Sequence, residues 1–182
     1  MTNWLLIGII VLVVLVIIGI YNVLVRLNNR VKNAWSQIDV QLKKRYDLVP
    51  NLVETVKGYA KHESELFLKV TTARSEAYKS SKISDKIGNN NKFSALVGQM
   101  LAVAENYPNL KADQHFLKMQ EDLNGIESKI AYARQFYNDV VEQFNTKTQL
   151  FPNNLFVKLF GFEKYVFFEA KKEERENVKV KF

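Results

Sequence analysis

A stretch of 22 residues without a charged side chain opens the sequence and limits what the chain can fold into. It reads WLLIGIIVLVVLVIIGIYNVLV over residues 4–25, and seventeen of its residues are Leu, Ile or Val. As a helix it would be roughly 33 Å long, which matches the roughly 30 Å hydrocarbon core of a bilayer. The sequence therefore predicts a transmembrane helix within residues 1–25 rather than the core helix of a soluble domain.

The residues around this span predict its orientation. No basic residue precedes it, whereas Arg26, Arg30 and Lys32 follow it, and basic residues concentrate on the cytoplasmic side of membrane helices. A secretory signal would instead have basic residues first, a shorter apolar stretch and a small-residue cleavage site. The sequence also has no cysteine that could carry a lipid. We expect a single-pass, uncleaved anchor with the N terminus outside the cell and the bulk of the chain in the cytoplasm.

The charge balance of the chain is basic. All 26 Lys and Arg and all 19 Asp and Glu lie after the span, which gives a net charge of +7. Beside a membrane the nearest polyanion is the lipid surface, to which each juxtamembrane Lys or Arg adds about 1 kcal/mol of attraction. The aromatic residues follow the spacing of a core and do not interleave with a basic stripe, as nucleic-acid binding would require. Membrane lipids are therefore an expected partner, and nucleic acid is not.

After the anchor, apolar residues follow the alternating three- and four-residue spacing of helix bundles and coiled coils. The spacing keeps its phase across Pro50, which predicts one long helix from Val31 to Ala77, bent at the proline, rather than a helical hairpin. Two further helices are predicted at residues 91–106 and 111–150. The seam of the first helix passes through Val31, Trp35, Ile38, Leu42, Arg45, Val49, Leu52, Val56, Tyr59, Glu63, Leu66, Val70, Ala73 and Ala77.

Two charged residues, Arg45 and Glu63, interrupt this apolar seam. A buried ion needs a partner, because removing one member of a buried pair costs about 3 to 5 kcal/mol. Glu127 and Arg134 lie beside the apolar stripe of the third predicted helix and are the candidate partners. In straight helices at most one of the pairs Arg45 with Glu127 and Glu63 with Arg134 can form. We expect these charges to fix the helix register or to reach solvent; a polar binding site is the alternative.

Two segments depart from the helical pattern. Residues 79–92, KSSKISDKIGNNNK, collect Ser, Asn, Gly and Lys and predict a loop. Phe151-Pro152 ends the third helix, and an aromatic-rich stretch follows at residues 155–168. We expect this stretch to fold back over the end of the bundle, with insertion into the membrane interface as the alternative. The tail after it is charged, and we expect it to be solvated.

Several blocks of the sequence resemble a known family. Over residues 20–168 the chain resembles the LemA family of bacterial membrane proteins. The resemblance implies an all-α fold, with one N-terminal transmembrane helix followed by an elongated, antiparallel, up-and-down bundle of four-helix type. It also implies no established enzymatic activity, and a membrane zinc metalloprotease as a partner. The blocks that carry it are NRVKNAWSQIDVQLKKRYDLVPNLVETVKGYAKHE, ENYPNLKA, ESKIAYARQFYNDVVEQFN, FP and FGF.

Polar residues on the predicted helices match the family's pattern as well. We expect them to form helix caps and hydrogen bonds within and between helices. A partner-binding groove near the proline is the alternative. These residues are Tyr46, Asp47, Asn51, Glu127, Arg134, Tyr137, Asn138 and Asn145.

The sequence lacks the residue patterns that common enzyme classes need. His62-Glu63 begins like the zinc-protease motif, but position 66 is Leu where that motif has its second histidine. The one other histidine, His115, is not preceded by Glu at the spacing of di-iron bundles. There is no cysteine, no Gly-x-Ser-x-Gly elbow and no Gly-rich phosphate loop. We therefore expect no enzymatic activity, no catalytic, cofactor-binding or metal-binding residues, and no cofactor.

These patterns predict three regions and one general role. Residues 1–25 form the anchor, 26–152 the cytosolic bundle, and 153–182 an aromatic-rich segment with a charged tail. We expect a non-enzymatic scaffold, adaptor or assembly protein at the cytoplasmic face of the bacterial inner membrane. The alternatives are an envelope-stress or membrane-organising protein that acts by self-assembly and lipid contact, and a small-ligand sensor. The expected partners are lipids, other membrane proteins and, in a homo-oligomer, further copies of the chain.

Overall fold

The computed structural model describes residues 2–168 and contains no strand in this range. The all-α prediction is therefore confirmed. The described residues form six helices. Residues 155–168, which are the last part of α6 and the stretch after it, are called the C-terminal segment. The helices are α1 (Thr2–Tyr59), α2 (Ser64–Lys79), α3 (Ile83–Ala104), α4 (Pro108–Lys111), α5 (Gln114–Gln149) and α6 (Asn153–Val157).

The chain divides into two compact units. The first unit contains residues 2–37 and Ala133–Phe167, so it holds the start of α1, the end of α5 and nearly all of the C-terminal segment. The second contains Ile38–Tyr132 and Phe168. Each unit has its own buried apolar residues: Leu24, Val31, Ala34, Val140 and Phe144 in the first, and Leu42, Leu52, Phe93, Met100 and Leu123 in the second.

The N-terminal part of α1 exposes its apolar side chains. Trp4, Leu5 and Leu12 are 81%, 70% and 62% exposed, respectively. The helix is long and apolar enough to cross a membrane. From Ile20 onward the same helix is packed, and both Ile20 and Leu24 are buried. An exposed apolar surface of this extent is unfavourable in water and is typical of a membrane or protein contact.

Helix α1 continues through Pro50 and ends at Tyr59. The prediction that Pro50 lies inside a helix, and not at a hairpin, is confirmed. The prediction of one helix as far as Ala77 is wrong, because residues 60–63 form a turn between α1 and α2. Val70, Ala73 and Ala77 of α2 keep the predicted heptad spacing, although Phe67 and not Leu66 is buried at the start of the helix. The apolar pattern alone therefore does not reveal the break.

The turn between α1 and α2 has its own backbone bonding. The Ala60 N–H still donates to Val56, at 2.9 Å, and the Glu63 N–H then turns back to the Ala60 carbonyl at 3.3 Å. Glu63 takes the N-cap position of α2, with φ −96° and ψ 28°. Gly58, just before the turn, is a weak helix former and favours an end of the helix here. Glu63 is therefore at a helix start and not on a continuous seam.

Helix α3 begins at Ile83, inside the region predicted as a loop. The loop prediction for residues 79–92 is therefore wrong from position 83 onward. Ile83, Ile87 and Asn90 share one face of the helix, and Ile87 and Asn90 are buried. The polar residues between them face outward or are held by hydrogen bonds. A polar composition concealed a helix whose apolar face has only two isoleucines before Phe93.

Helix α5 matches the third predicted helix closely. It runs from Gln114 to Gln149, against the predicted 111–150. The short helix α4 separates it from α3, at the Tyr107-Pro108-Asn109 sequence that predicted an end or bend. Apolar and aromatic residues recur every seventh position from Phe116 to Phe151, which predicts one buried stripe. Phe151, after the end of α5, is 78% exposed, whereas the five members on α5 are buried: Phe116, Leu123, Ile130, Tyr137 and Phe144.

Candidate functional site: a buried arginine and a tethered C-terminal segment

Arg45 is fully buried in the second unit, where it organises the polar contacts. It projects from α1 at a position where the apolar seam predicts a hydrophobic residue. Its Nη1 donates hydrogen bonds to Glu127 Oε1 on α5 and to Ser94 Oγ on α3, both at 2.7 Å. Its Nη2 donates to Asn90 Oδ1 on α3, also at 2.7 Å. One guanidinium therefore connects three helices, and the predicted pairing of Arg45 with Glu127 is confirmed.

Asn90 extends this cluster to Tyr46. The Tyr46 hydroxyl donates to Asn90 Oδ1 at 2.8 Å, and Asn90 Nδ2 donates to the Lys86 carbonyl at 2.8 Å. Burial raises the pKa of the Tyr46 phenol, because a low-dielectric surrounding disfavours the phenolate. The phenol is therefore a neutral donor at physiological pH. The Asn90 oxygen accepts two hydrogen bonds, which is the full capacity of an amide oxygen.

The positive charge of Arg45 is balanced inside this cluster. Glu127 contributes a carboxylate whose side chain is 38% exposed. The Phe93 ring lies beneath the guanidinium, with Arg45 Cζ 5.1 Å from the ring centroid, and a desolvated cation–π contact contributes up to about 2 kcal/mol. Arg45 Nε is buried without a hydrogen-bond acceptor in the part of the chain that the structure describes. A buried cation with these partners is tolerated only when all of them are in place, so the cluster selects one register of the helices.

A second polar contact supports α1 at its proline. Pro50 has no N–H, so it cannot donate to the carbonyl of Tyr46, four residues earlier in the helix. Arg74 Nε on α2 donates to that carbonyl at 2.5 Å. The acceptor that the proline leaves unpaired is thus satisfied by a side chain of another helix. The bond between Arg74 and the Tyr46 carbonyl therefore joins α2 to α1.

In the first unit, polar residues of α5 bind the C-terminal segment. Asn145 pairs with the backbone of Tyr165: its Nδ2 donates to the carbonyl at 2.9 Å, and its Oδ1 accepts the N–H at 3.0 Å. The Tyr137 hydroxyl donates to the Val166 carbonyl at 3.0 Å. The Tyr165 hydroxyl donates to Asn28 on α1 at 2.8 Å. Burial raises the pKa of Tyr137 to about 12, so this phenol also remains a neutral donor.

Aromatic rings hold the same segment against α1 and α5. The Phe160 ring meets Tyr21 of α1 edge-on, with centroids 5.1 Å apart. The Phe162 ring meets Phe144 of α5 at 6.1 Å. Gly161, between the two phenylalanines, has a φ of +70°, which L side chains rarely adopt. The segment packs on both helices, as the fold-back hypothesis expects.

The family of the chain follows from its sequence as a whole. A sequence model described as the LemA family matches residues 34–182. The chain belongs to the LemA family. The LemA protein of Metamycoplasma hominis is 27% identical to it over 90% of this chain and 75% of its own length.

Other relatives carry a different name. Magnetosome protein MamQ 2 of Paramagnetospirillum magneticum is 23% identical over 83% of this chain and 65% of its own length. Magnetosome protein MamQ of Magnetospirillum gryphiswaldense is 22% identical over the same shares of the two chains. This LemA-family chain therefore spans about two thirds of the length of the magnetosome proteins that it matches.

The remaining polar residues predicted in this LemA-family chain lie outside the two clusters or in different units. Asp47 accepts a hydrogen bond from Lys43 on the same helix at 2.9 Å. Asn51 is exposed, and its backbone carbonyl accepts a hydrogen bond from the Thr55 hydroxyl one turn later. Glu63 lies in the second unit, whereas Arg134 lies on α5 in the first. Asn138 also lies on α5, partly buried.

Sequence reasoning missed three partners that the structure brings together: Asn90, Ser94 and Arg74. Asn90 and Ser94 are four residues apart, so they lie on one face of α3. This face continues to Val97, which is buried. That spacing is the signal that could have identified them, once the asparagine-rich stretch is accepted as helix. Arg74 has no comparable signal, because its acceptor is a backbone atom on another helix.

The polar groups of these clusters are engaged in hydrogen bonds with other parts of the chain. Within residues 2–168, no group of three or more His, Cys, Asp or Glu residues is placed to hold a metal ion. His62 and His115 are both exposed. In the Arg45 cluster, a cation donates to a carboxylate and to two neutral acceptors, Ser94 and Asn90, and the Tyr46 hydroxyl donates to Asn90 as well.

Proposed function

We propose that this chain is a non-enzymatic adaptor or scaffold that is anchored in the membrane and presents its helices as a binding surface. One observation carries the proposal: the exposed apolar stretch of α1 continues, without a break in the helix, into residues that are packed in a core. The exposed stretch suits a bilayer, and the packed part suits a folded surface next to it. The anchor would determine where the protein acts, and the helices of the folded part would determine what it binds.

The charges after the span support a cytoplasmic position for the folded part. Arg26, Arg30 and Lys32 are all exposed, and they follow the span within two helical turns. Basic residues at this place favour the cytoplasmic side and attract anionic lipid headgroups. We therefore place the N terminus outside and the bulk of the chain in the cytoplasm, as a single-pass protein of the inner membrane.

Within the second unit, we propose that α1, α2, α3 and α5 form an antiparallel, up-and-down bundle with coiled-coil-like packing. The contacts of Arg45 with α3 and α5 support this arrangement, and so does the contact of Arg74 on α2 with α1. The short connection of residues 60–63 also favours antiparallel neighbours. Such a bundle offers long, rigid helix faces, which suit the recognition of another protein.

The internal bonding of the polar cluster favours a binding role over catalysis. Arg45 donates to both Glu127 and Asn90 and so holds three helices together. Their loss would alter the fold before it altered any chemistry. We propose another membrane protein as the partner, and the family resemblance makes a membrane zinc metalloprotease the first to test.

Site-specific photo-crosslinking of the full chain in native membranes tests the adaptor role. A photoreactive amino acid would replace Leu68 on α2 or Tyr132 on α5, which are 67% and 74% exposed. We expect one partner protein to be recovered repeatedly from one of these faces and not from the other. Leu12, in the apolar stretch of α1, is a control position that should react mainly with lipid. Recovery of this chain alone from both faces would contradict the adaptor role.

A membrane-organising role through self-assembly is the second candidate. The relatives named as magnetosome proteins favour it, since that name links them to the magnetosome. The same crosslinking would then yield the chain itself from one of the two faces. Solubilised protein should also sediment as an oligomer.

A further inference from the structure

The C-terminal segment lies beside the last turns of the charge-free part of α1. Phe160 and Phe162 contact Tyr21, with ring centroids 5.1 Å and 6.4 Å away. The first charged residue of the helix, Arg26, comes five positions after Tyr21, which is roughly 7.5 Å further along the helix axis. These rings therefore pack on α1 before its polar part begins.

The segment turns one apolar side to α1 and leaves another open. Phe156 stacks on Phe160 at 5.9 Å. The Phe160 N–H donates to the Phe156 carbonyl at 2.9 Å, which extends the helical turn of α6. Leu155 and Leu159 lie on the same turn, four residues apart, and are 63% and 75% exposed. The aromatic pair is partly covered, whereas the two leucines are not.

We propose that this aromatic turn (residues 155–162) is a second membrane contact, seated in the boundary between lipid headgroups and acyl chains beside α1. If α1 spans the bilayer, the turn cannot be far from it, because Tyr21 is within the span and Phe160 packs on it. An interfacial element of this kind places its apolar side chains about 5 to 10 Å into the boundary. Leu155 and Leu159 are the side chains that enter it.

Composition and charge at the turn favour lipid as the occupant of this surface. Phenylalanine and leucine supply the apolar side, and aromatic residues are common at membrane interfaces. Lys158 and Lys164 are exposed next to them. Their long side chains can lie along apolar surface and reach the phosphates of anionic lipids.

A contact of this kind would do more than strengthen the anchor. The segment is bound to α5 through Asn145 and Tyr137. Lipid contact at residues 155–162 would therefore set the height and tilt of the first unit at the membrane surface. If α1 were the only membrane contact, the height and tilt of the first unit would not be fixed. The inference rests on the membrane anchoring of α1 proposed above, and not on the adaptor role.

Spin labelling of the full chain tests this contact directly. The sequence has no cysteine, so the single substitution Leu159→Cys gives one labelling site. The labelled chain is placed in vesicles of phosphatidylcholine and phosphatidylglycerol. The accessibility of the nitroxide to oxygen, which concentrates in lipid, is then compared with its accessibility to a water-soluble nickel complex. Leu12→Cys in α1 is the lipid reference, and Leu68→Cys, an exposed leucine of α2, is the water reference.

We expect the label at position 159 to lose accessibility to nickel and retain accessibility to oxygen, as at position 12. Nickel accessibility equal to that at position 68 would overturn the proposal. A label shielded from both reagents would overturn it too, because protein would then cover the turn. If the label at position 12 is itself accessible to nickel, α1 is not anchored in the bilayer, and this inference fails together with the proposed anchoring. A circular dichroism spectrum equal to that of the parent chain confirms that each variant is folded.

Discussion

Arg74 Nε donates a 2.5 Å hydrogen bond to the carbonyl oxygen of Tyr46. In an uninterrupted helix this carbonyl would accept the N–H of the residue four positions later, which here is Pro50. A proline in a helix interior costs about 3 kcal/mol or more, partly through this lost bond. The contact from α2 therefore compensates a defect in α1 and helps to explain how the helix continues through its proline.

Removing the Arg74 side chain should destabilise the second unit. We expect Arg74→Ala to lower the free energy of unfolding by about 1.5 to 3 kcal/mol, the range for a hydrogen bond that involves a charged group. Urea unfolding of the full chain in detergent, followed by circular dichroism, measures this change. Lys79→Ala, an exposed residue at the end of the same helix, is the control and should change stability by less than about 0.5 kcal/mol.

The stability lost through Arg74→Ala should depend on Pro50. In a Pro50→Ala chain the restored N–H can bond to the Tyr46 carbonyl, so Arg74 is no longer its essential donor. We expect Arg74→Ala to cost about 1 kcal/mol less in that background, as a double-mutant cycle measures. Equal losses in both backgrounds would show that Arg74 acts through some other contact.

Removing Glu127 should be costly because it leaves the Arg45 charge buried without its carboxylate. We expect Glu127→Ala to destabilise the chain by about 3 kcal/mol, near the lower end for a broken buried pair because the carboxylate is partly exposed. Glu121→Ala on the same helix is the matched control, since Glu121 pairs with Lys118 at the surface. Surface pairs contribute about 0 to 1 kcal/mol. Similar losses in the two variants would contradict the role assigned to Glu127.

The effect of replacing Arg45 on stability should change sign when Glu127 is absent. Arg45→Met alone should destabilise the chain, because Asn90 and Glu127 lose their donor. In the Glu127→Ala background the same substitution should raise stability, because it removes an uncompensated buried charge. The measurement is the urea midpoint of the double variant compared with Glu127→Ala alone. A lower midpoint for the double variant would show that Arg45 remains well satisfied without Glu127.

Patterns local to one helix could be predicted from the sequence. The apolar stretch of α1 needs only its length and composition to be recognised. The seam through Arg45 needs only helical periodicity, and its interruption by a charge makes Glu127 a candidate partner. The sequence does not choose between this pair and the pair of Glu63 with Arg134. These features depend on residues within a few turns of one another, or on an elementary rule about buried charge.

Features that depend on distant partners were not predicted. Asn90 belongs to an asparagine-rich stretch that is typical of a loop, and it becomes a core residue only because Arg45, 45 positions earlier, bonds to it. The turn that ends α1 is concealed because α2 resumes the same spacing. The contact of Arg74 with a backbone carbonyl leaves no trace in a hydropathy pattern.

Asn90 should accordingly be far more sensitive to substitution than its neighbour. Asn90→Ala leaves Arg45 Nη2 and the Tyr46 hydroxyl buried without their acceptor, and we expect a loss of about 2 to 4 kcal/mol. Asn91→Ala, one position along the same helix and only partly buried, should cost less than about 1 kcal/mol. Thermal unfolding of the two variants measures the difference, and equal effects would rule out the special role of Asn90.

The buried Tyr137 phenol should make stability fall at high pH. Its pKa is raised from 10.0 to about 12 by burial, so between these values the folded state keeps a proton that the unfolded state releases. The stability that the protonated phenol adds to the folded state is therefore fully present below pH 10. It decreases by up to about 2 to 3 kcal/mol as the pH rises toward 12.

Tyr137→Phe should lower the free energy of unfolding by about 1 kcal/mol at neutral pH, through the lost bond to Val166, and should flatten the decline of stability at high pH. Tyr132→Phe, at an exposed position of the same helix, should leave the decline unchanged. Urea unfolding across this pH range measures both, and an equally steep decline in Tyr137→Phe would assign it to other groups.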